Sequence, residues 1–343
     1  MVSSIKIGEV TSVPGKSVHG KYRVAERAAS TIELPISIIQ GRKPGPTLVV
    51  VAGEHGCEYS GIVAAVKLAR DLKASELSGA VIIVPLANPT AFDARYLFVN
   101  PIDQVNPYGA YPGSPGATVT FQIAHKILHE IALKGDALVH LHGADYNEAL
   151  VPFNYVPITG RKDIDRRSSE LASCFPVLYH LNALPASKST SVPPVGTTYA
   201  VTADGTLYWE SATRGIPATM VEAGKEGKLE EETVSIHYDG LINVMKHLGI
   251  LSGKAEYKKG VKILKNPVLV ANRSAGLFIP KVGYGESVKK GQTLGEIWNF
   301  EGEVLETISS PIDGFVVCRI NFVAADSYPT QTQPYLFYIT QVE

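Results

Sequence analysis

The stretch that decides the fold is Thr47-Leu-Val-Val-Val-Ala-Gly53-Glu-His55-Gly-Cys-Glu58, in which a continuous apolar run ends at a glycine. A valine-rich run of this kind is typical of a strand buried on both faces of a sheet. Residues 59–72, which follow directly, have the amphipathic spacing of a helix. His55 and Glu58 therefore lie where a strand meets a helix, and sites in α/β sheets form outside the carboxyl ends of strands.

The alternation of strands and helices continues beyond this stretch. Short apolar alternations in residues 1–45 predict a β-hairpin entry. We expect an α/β fold over residues 1–253, with a mixed central sheet flanked by helices. Apolar runs predict further strands at residues 81–86, 137–141, 177–179 and 219–221, and helical spacing predicts helices at residues 118–133 and 231–248.

After about residue 253 the sequence changes to short strands and glycine-rich turns, which predicts a smaller all-β domain over residues 254–343. Two runs, Gly285-Glu-Ser-Val-Lys-Lys-Gly291 and Ser310-Pro-Ile-Asp-Gly314, resemble the turns of a lipoyl/biotinyl-type β-sandwich. Such carrier domains present a modifiable lysine between those runs. Residues 298–308 contain no lysine, so we expect a structural appendage rather than a carrier.

Composition and charge narrow the class of partner. The chain has 343 residues, 45% of them hydrophobic, and a formal net charge of −1. Binding to nucleic acid or to a membrane surface requires a basic surface, so we expect a small-molecule substrate instead. No apolar stretch approaches the length of a membrane span, and the amino terminus has no secretory pattern. Together with only three widely spaced cysteines, this predicts a cytoplasmic protein; a homo-oligomer is compatible with the sequence.

Three residues at predicted strand ends are candidate zinc ligands. His55 and Glu58 are three residues apart across a turn and can converge on one point. Catalytic zinc sites keep three protein ligands and a position for water, so a third ligand is expected at another strand end. Residues 136–143 provide it, because strand alternation places His140 and His142 on one side and His142 is nearer the end. His140 is then either a neighbour of the ligands or a hydrogen-bonded core histidine.

A general base is expected at a further strand end. Pro217-Ala-Thr-Met-Val-Glu222-Ala-Gly224 is an apolar run that ends in a carboxylate followed by a glycine. A carboxylate there can take a proton from water and return it to a leaving amine. A solvent-exposed carboxylate is the alternative reading of Glu222 from the sequence alone.

The order of His55-Gly-Cys-Glu58, Asn88-Pro89, Leu141-His142-Gly143 and Val221-Glu222-Ala-Gly224 resembles the succinylglutamate desuccinylase/aspartoacylase family of zinc carboxypeptidase-like proteins. The resemblance covers about residues 35–320. It implies one Zn²⁺ per chain on His55, Glu58 and His142, with Glu222 as general base and acid. The implied reaction is hydrolysis of an amide bond in a small molecule, as by a deacylase or amidohydrolase.

The sequence departs from this family where the substrate carboxylate is bound. Members usually have Arg-x-Arg after Asn-Pro, but here only Arg95 follows. In an ungapped match the family's Leu-Asn-Arg becomes Pro107-Tyr108-Gly109, and the usual Asp before the third ligand is His140. We therefore expect a neutral or aromatic substrate that lacks the usual carboxylate anchor.

The remaining site candidates follow from this expectation. Tyr108 and Tyr111 offer aromatic contacts, Asn88 a polar contact, and Asp145 a contact that would favour a cationic group. Arg95 is the local candidate for polarising the scissile carbonyl, and a surface ion pair is its alternative role.

Three alternatives stay open at this point. Arg161 or Arg214 could replace the missing arginine, since sites on a shared fold can be rebuilt from different residues. The protein could instead be a carboxypeptidase-type peptide hydrolase. It could also be a degenerate family member that binds a ligand or a partner protein without turnover, and zinc content would separate that class from the enzymes.

Overall fold

A mixed β-sheet of thirteen strands forms the frame of the protein in the computed structural model, which describes residues 3–185, 203–327 and 335–343. The strands in these ranges are β1 (Ile5–Ile7), β2 (Val10–Ser12), β3 (Lys16–Arg27), β4 (Ser30–Gln40), β5 (Lys43–Ala52), β6 (Ser78–Val84), β7 (Ala137–His142), β8 (Glu148–Leu150), β9 (Phe153–Pro157), β10 (Tyr179–Ala183), β11 (Ala218–Glu222), β12 (Lys262–Val270), β13 (Gly276–Pro280), β14 (Ser287–Val288), β15 (Thr293–Trp298), β16 (Val304–Ser309), β17 (Gly314–Ile320), β18 (Ala324–Ala325) and β19 (Phe337–Val342). The α-helices are α1 (Tyr59–Asp71), α2 (Pro89–Ala94), α3 (Val119–Lys126), α4 (Lys162–Ser173), α5 (Leu207–Thr213) and α6 (Glu231–His247).

The centre of the sheet consists of parallel strands. β5 pairs in parallel with β6 on one side and with β7 on the other, and β7 pairs in parallel with β11. Residues 48–52 of β5 and all residues of β7 are buried, which is why their sequences are apolar runs rather than alternations. α1 packs against these strands and against α6. The residues that follow β5, β7 and β11 therefore meet at one edge of the sheet.

The strands after residue 253 extend this sheet as well as forming a second one. β12 pairs in parallel with β10, and β19, β17 and β14 continue the sheet in antiparallel order. β17 also pairs with β8, which comes from the amino-terminal part of the chain. β13, β15, β16 and β18 form a separate four-stranded sheet. The expectation of an appendage was therefore wrong, because part of this region belongs to the main sheet; the domain boundary and the lipoyl-like resemblance stay predictions.

Most of the predicted elements are present, and the mixed α/β class is confirmed. The predicted strands and helices correspond to β5, β6, β7, β11, α1 and α6 with small shifts at their ends. The helix predicted over residues 118–133 is α3, followed by a π-helical turn at Ile127–Ile131 and a 3-10 turn at Ala132–Lys134. Among the helices of the three described ranges, none has both the length and the hydropathy needed to cross a bilayer.

Sequence periodicity missed β9 and α4, which pack against each other. β9 contains the fully buried Asn154, whose side-chain amide donates to the carbonyl of Ala172 at 2.9 Å. A buried polar residue of this kind interrupts an apolar run, and only the tertiary contact satisfies it. α4 buries a narrow stripe that includes Ile164, Ser168 and Leu171, which is too sparse to register as a core-facing helix.

Candidate metal centre and active site

The first two candidate ligands lie in the turn between β5 and α1. Gly53 turns the chain with a φ of 67°, a conformation that favours glycine, and a Cβ on it would lie 2.9 Å from Leu86. This turn places His55 Nδ1 2.7 Å from Glu58 Oε1, and both side chains are buried. Glu58 is the residue before α1, but its carboxylate does not cap the helix. The carboxylate is therefore directed to the histidines.

His142, the last residue of β7, completes the cluster. Its Nδ1 lies 3.1 Å from Glu58 Oε2, and the ligand atoms of His55, Glu58 and His142 lie within 4.8 Å of one another. Within the described ranges, the buried Glu58 Oε2 has no hydrogen-bond partner of good geometry. Two imidazole nitrogens and a carboxylate are ligands that zinc accepts, and three protein ligands are typical of catalytic zinc sites. The chemistry of this donor set fits the predicted ion.

The charges of the cluster also favour a cation. Burial alone would raise the pKa of Glu58, but His142 and His55 lower it to about 2. Burial alone would lower the pKa of His55, but Glu58 raises it to about 9. In the absence of a metal, protons on the histidines therefore balance the buried carboxylate. A divalent cation would displace those protons, because metal binding requires neutral imidazole.

Each candidate histidine ligand has a second polar side chain next to its Nε2 atom. His55 Nε2 lies 3.1 Å from Asn106 Oδ1. His142 Nε2 lies 3.1 Å from Glu54 Oε2. Partners of this kind fix the ring orientation of a metal-binding histidine. Sequence reasoning missed both residues, although Glu54 directly precedes His55.

His140 is also in this second layer. It is buried completely, and its Nε2 lies 3.0 Å from His142 Nε2. Burial, together with the neighbouring His142, lowers the pKa of His140 to about 3, so the ring is neutral. Of the two roles left open for His140, the structure supports that of a neighbour of the ligands.

Glu222 lies beside the cluster because of the strand order. β11 pairs in parallel with β7 so that Glu222 and His142 are register partners. Burial raises the pKa of Glu222 to about 8; His142 opposes this shift, whereas Glu58 and Glu148 add to it. A carboxyl group that titrates near neutral pH is suited to both accepting and returning a proton.

A further buried carboxylate, Glu148, connects Glu222 to the C-terminal strands. The hydroxyl of Tyr335 donates to Glu148 Oε1 at 2.5 Å, and Cys318 Sγ lies 3.9 Å from the same oxygen. Burial raises the pKa of Glu148 to about 7, although the bond from Tyr335 opposes the rise. Residues from the region after position 253 therefore contribute to the surroundings of the active site.

Aromatic rings line the open side of the cluster. The half-buried Tyr108 ring lies 6.5 Å from the His55 ring and 6.2 Å from the His142 ring, measured between centroids. The ring of Phe98 lies 5.5 Å from that of His55. Of the predicted substrate contacts, Tyr108 is therefore the one that the structure places against the ligands.

The other predicted substrate contacts have internal partners. Tyr111 is 4% exposed; burial, together with the adjacent Glu54 carboxylate, raises the pKa of its hydroxyl. Asn88 Oδ1 caps α2 by accepting from the amide of residue 91 at 3.2 Å. Asp145 is fully buried and accepts from the amides of Phe98 at 3.2 Å and Tyr146 at 2.8 Å. Contacts of these three side chains with a substrate stay predictions.

The structure does not bring the candidate arginines to the cluster. Arg95 is exposed at the end of α2, and its guanidinium forms no hydrogen bond or ion pair with the described residues. Arg161 donates to the carbonyl of Thr213 at 3.4 Å, and Arg214 to that of Glu210 at 2.9 Å. The proposed action of Arg95 on the scissile carbonyl stays a prediction.

Comparison with known proteins agrees with this arrangement. The succinylglutamate desuccinylase/aspartoacylase catalytic domain matches residues 44–248. The protein therefore belongs to that family. It is 27% identical over 278 residues to an N-alpha-acetyl-L-2,4-diaminobutyric acid deacetylase of Halomonas elongata, a match that covers 80% of this chain and 76% of the relative.

Solved structures resemble the whole described fold. A succinylglutamate desuccinylase from Silicibacter sp. TM1040 has a TM-score of 0.81 and 25% identity, over 99% of this chain and 100% of that one. The product-bound ectoine utilization protein EutE (DoeB) from Ruegeria pomeroyi has a TM-score of 0.80 and 24% identity, over 96% and 98% of the two chains. The second similarity concerns the fold alone. Together with the family match, these relatives support a hydrolase that acts on amides.

Proposed function

We propose that the protein is a zinc-dependent hydrolase that removes an acyl group from the nitrogen of a small-molecule amide. The observation that carries the proposal is the convergence of His55, Glu58 and His142 on one point, with Glu222 beside them on the adjacent strand. The chemistry that zinc supplies at three such ligands is polarisation of a carbonyl and activation of water.

The protein's own residues supply the proton transfer and the positioning. Glu222 accepts a proton from the attacking water and then delivers it to the leaving amine, for which its raised pKa is suited. Asn106 holds the ring of His55, and Tyr108 and Phe98 provide an apolar wall for the substrate. The three cysteines are buried and free, which supports the proposed cytoplasmic setting.

The substrate proposal follows from the charges around Glu222. The charged groups that most affect the pKa of Glu222 are two histidines and two glutamates, namely His142, His55, Glu58 and Glu148. Neither an arginine nor a lysine is among these groups. Among these groups of the described residues, a substrate carboxylate would therefore meet no arginine or lysine, and burying it unpaired is costly. We infer a neutral or aromatic amide, and the relative from Halomonas elongata supports a short acyl group such as acetyl.

A second candidate is an N-acetyl amine that carries another, cationic amino group. The named substrate of the Halomonas relative contains such a group together with a carboxylate, which in this candidate would lie away from Glu222. The charged groups around Glu222 are two carboxylates, Glu58 and Glu148, and two histidines, His142 and His55. Because metal binding requires neutral imidazole, the carboxylates would then favour a cation.

Zinc content and Glu222 test the reaction class. Purified protein should contain about one zinc per chain, and His55→Ala, Glu58→Ala or His142→Ala should remove it. His129→Ala, at an exposed histidine, is the control. Glu222→Gln should keep the zinc but lose about 10²–10⁴-fold in turnover. Stoichiometric zinc in all three ligand variants would overturn the metal site, and zinc without hydrolysis of any amide would favour the non-catalytic alternative.

The substrate class is tested by comparing kcat/KM values. The series contains N-acetylaspartate, uncharged and aromatic N-acyl amines, Nα-acetyl-2,4-diaminobutyric acid and a short peptide. We expect the enzyme to prefer the uncharged or aromatic amides. If the second candidate is right, it should instead prefer Nα-acetyl-2,4-diaminobutyric acid. Preference for N-acetylaspartate by about tenfold, which is about 1.4 kcal/mol of transition-state binding, would refute both. Preference for the peptide would favour the carboxypeptidase alternative.

A further inference from the structure

Two groups of potential ligands share His142. One is the centre formed by His55, Glu58 and His142, and the other is formed by Glu54, His140 and His142, all of them buried. His142 faces the first group with Nδ1 and the second with Nε2. A neutral imidazole has one nitrogen with a lone pair and one with a hydrogen. If Nδ1 binds the metal, the hydrogen of the His142 ring is therefore on Nε2, the nitrogen that faces Glu54.

Glu54 is the stronger acceptor for that hydrogen. Its Oε2 lies 3.1 Å from His142 Nε2 but, within the described ranges, is a buried oxygen without a hydrogen-bond partner of good geometry. His140 Nε2 forms a hydrogen bond with the same nitrogen at 3.0 Å. A carboxylate accepts hydrogen bonds only, and a bond to a charged acceptor is about twice as strong as one between neutral groups.

We propose that Glu54 is a positioning residue that accepts the hydrogen of His142 Nε2 and thereby holds Nδ1 toward the metal centre. This inference rests on the proposed function. β5 and β7 are paired so that Val51 is the register partner of His140, which brings Glu54, just beyond the end of β5, to the same nitrogen.

Glu54 lies at the Nε2 edge of His142, whereas Glu58 lies at its Nδ1 edge. Glu54 is 1% exposed, and it lines a cavity of about 10 Å³ together with Asn88, Asn100 and Tyr111. A cavity of this size admits about one water molecule. Glu54 therefore acts through His142 and not on the reacting atoms.

The test measures zinc affinity by competition with a chromogenic chelator, and the absorption spectrum of the Co²⁺-substituted protein. Glu54→Ala should lower zinc affinity about 10–100-fold and change the Co²⁺ spectrum. Glu54→Gln, which keeps an acceptor oxygen but no charge, should lower it less. His140→Ala is the matched control at the other neighbour of Nε2 and should lower it less than Glu54→Ala.

The decisive variant is the double substitution Glu54→Ala/His140→Asp. His140 already reaches the same nitrogen, so an aspartate there should restore most of the zinc affinity that Glu54→Ala removes. A purely structural role for Glu54 predicts no such rescue. Unchanged affinity in Glu54→Ala, absence of rescue, or two zinc ions per wild-type chain would overturn the inference. Wild-type protein without zinc would overturn the proposed function as well, so the two failures are distinguishable.

Discussion

Replacing Glu148 with glutamine should stabilise the zinc-free protein at alkaline pH. Glu148 is 8% exposed at the start of β8 and accepts a hydrogen bond from Tyr335. Burial is the main reason that its pKa rises, and Asp145 and Glu58 add to the rise. Glutamine has the same shape, keeps an oxygen for the Tyr335 hydroxyl and carries no charge at any pH.

The size of the effect follows from the pKa of Glu148. A carboxyl pKa that is higher in the folded than in the unfolded protein contributes stability at low pH, and this is lost as pH rises from 4.5 to about 7. That interval corresponds to about 3 kcal/mol of unfolding free energy. Glu148→Gln should therefore be more stable than wild type by about 3 kcal/mol at pH 8, and by less than about 1 kcal/mol at pH 5.

Denaturant unfolding at pH 5 and pH 8, with a chelator present, measures this difference. Glu232→Gln, at an exposed carboxylate of α6, is the control and should change the stability little at either pH. A Glu148→Gln variant that is no more stable than wild type at pH 8 would refute the reasoning. The same substitution removes a charge that raises the pKa of Glu222, so the acidic limb of the kcat/KM profile should move to lower pH.

Three further predictions concern other parts of the molecule. Gly240→Ala should lower the unfolding free energy by about 1–3 kcal/mol in denaturant titrations, because its Cβ would lie 2.0 Å from the Phe175 ring; a stabilised variant would contradict this packing. Asn106→Ala should weaken zinc binding about tenfold in chelator competition by removing the partner of His55 Nε2, and Asn106→Asp should retain it. Intact mass should reveal neither a lipoyl nor a biotinyl group, because residues 298–308 contain no lysine.

The cluster of candidate metal ligands was predictable because each of its residues is encoded locally. His55, Glu58 and His142 follow buried strands whose apolar runs are visible in the sequence, and parallel strands bring their carboxyl ends to one edge. Glu222 follows the same rule on β11. The strand pattern was therefore enough to place these residues at one edge of the sheet, whereas their roles as ligands and base followed from the family resemblance.

The partners of these residues were not predictable in the same way. Glu54 and Asn106 contact the histidines from a strand end and from a loop. Such tertiary contacts leave no periodic pattern in the sequence. Asp145 and Tyr111 looked like cleft residues because loop residues are usually exposed, but tertiary packing buries both. Sequence spacing gives the direction of a side chain along a strand, whereas the burial of a loop depends on what the rest of the chain places over it.

The pairing of β8 with β17 has a consequence for the evolution and engineering of this protein. The family's catalytic domain matches residues 44–248, yet a fragment that ended there would leave the edge of β10 without β12 and Glu148 without Tyr335. An unpaired edge of a buried strand is a template for aggregation. Exchanging the C-terminal strands between homologues would therefore alter the active site, and the two parts have to be inherited and recombined as a single unit.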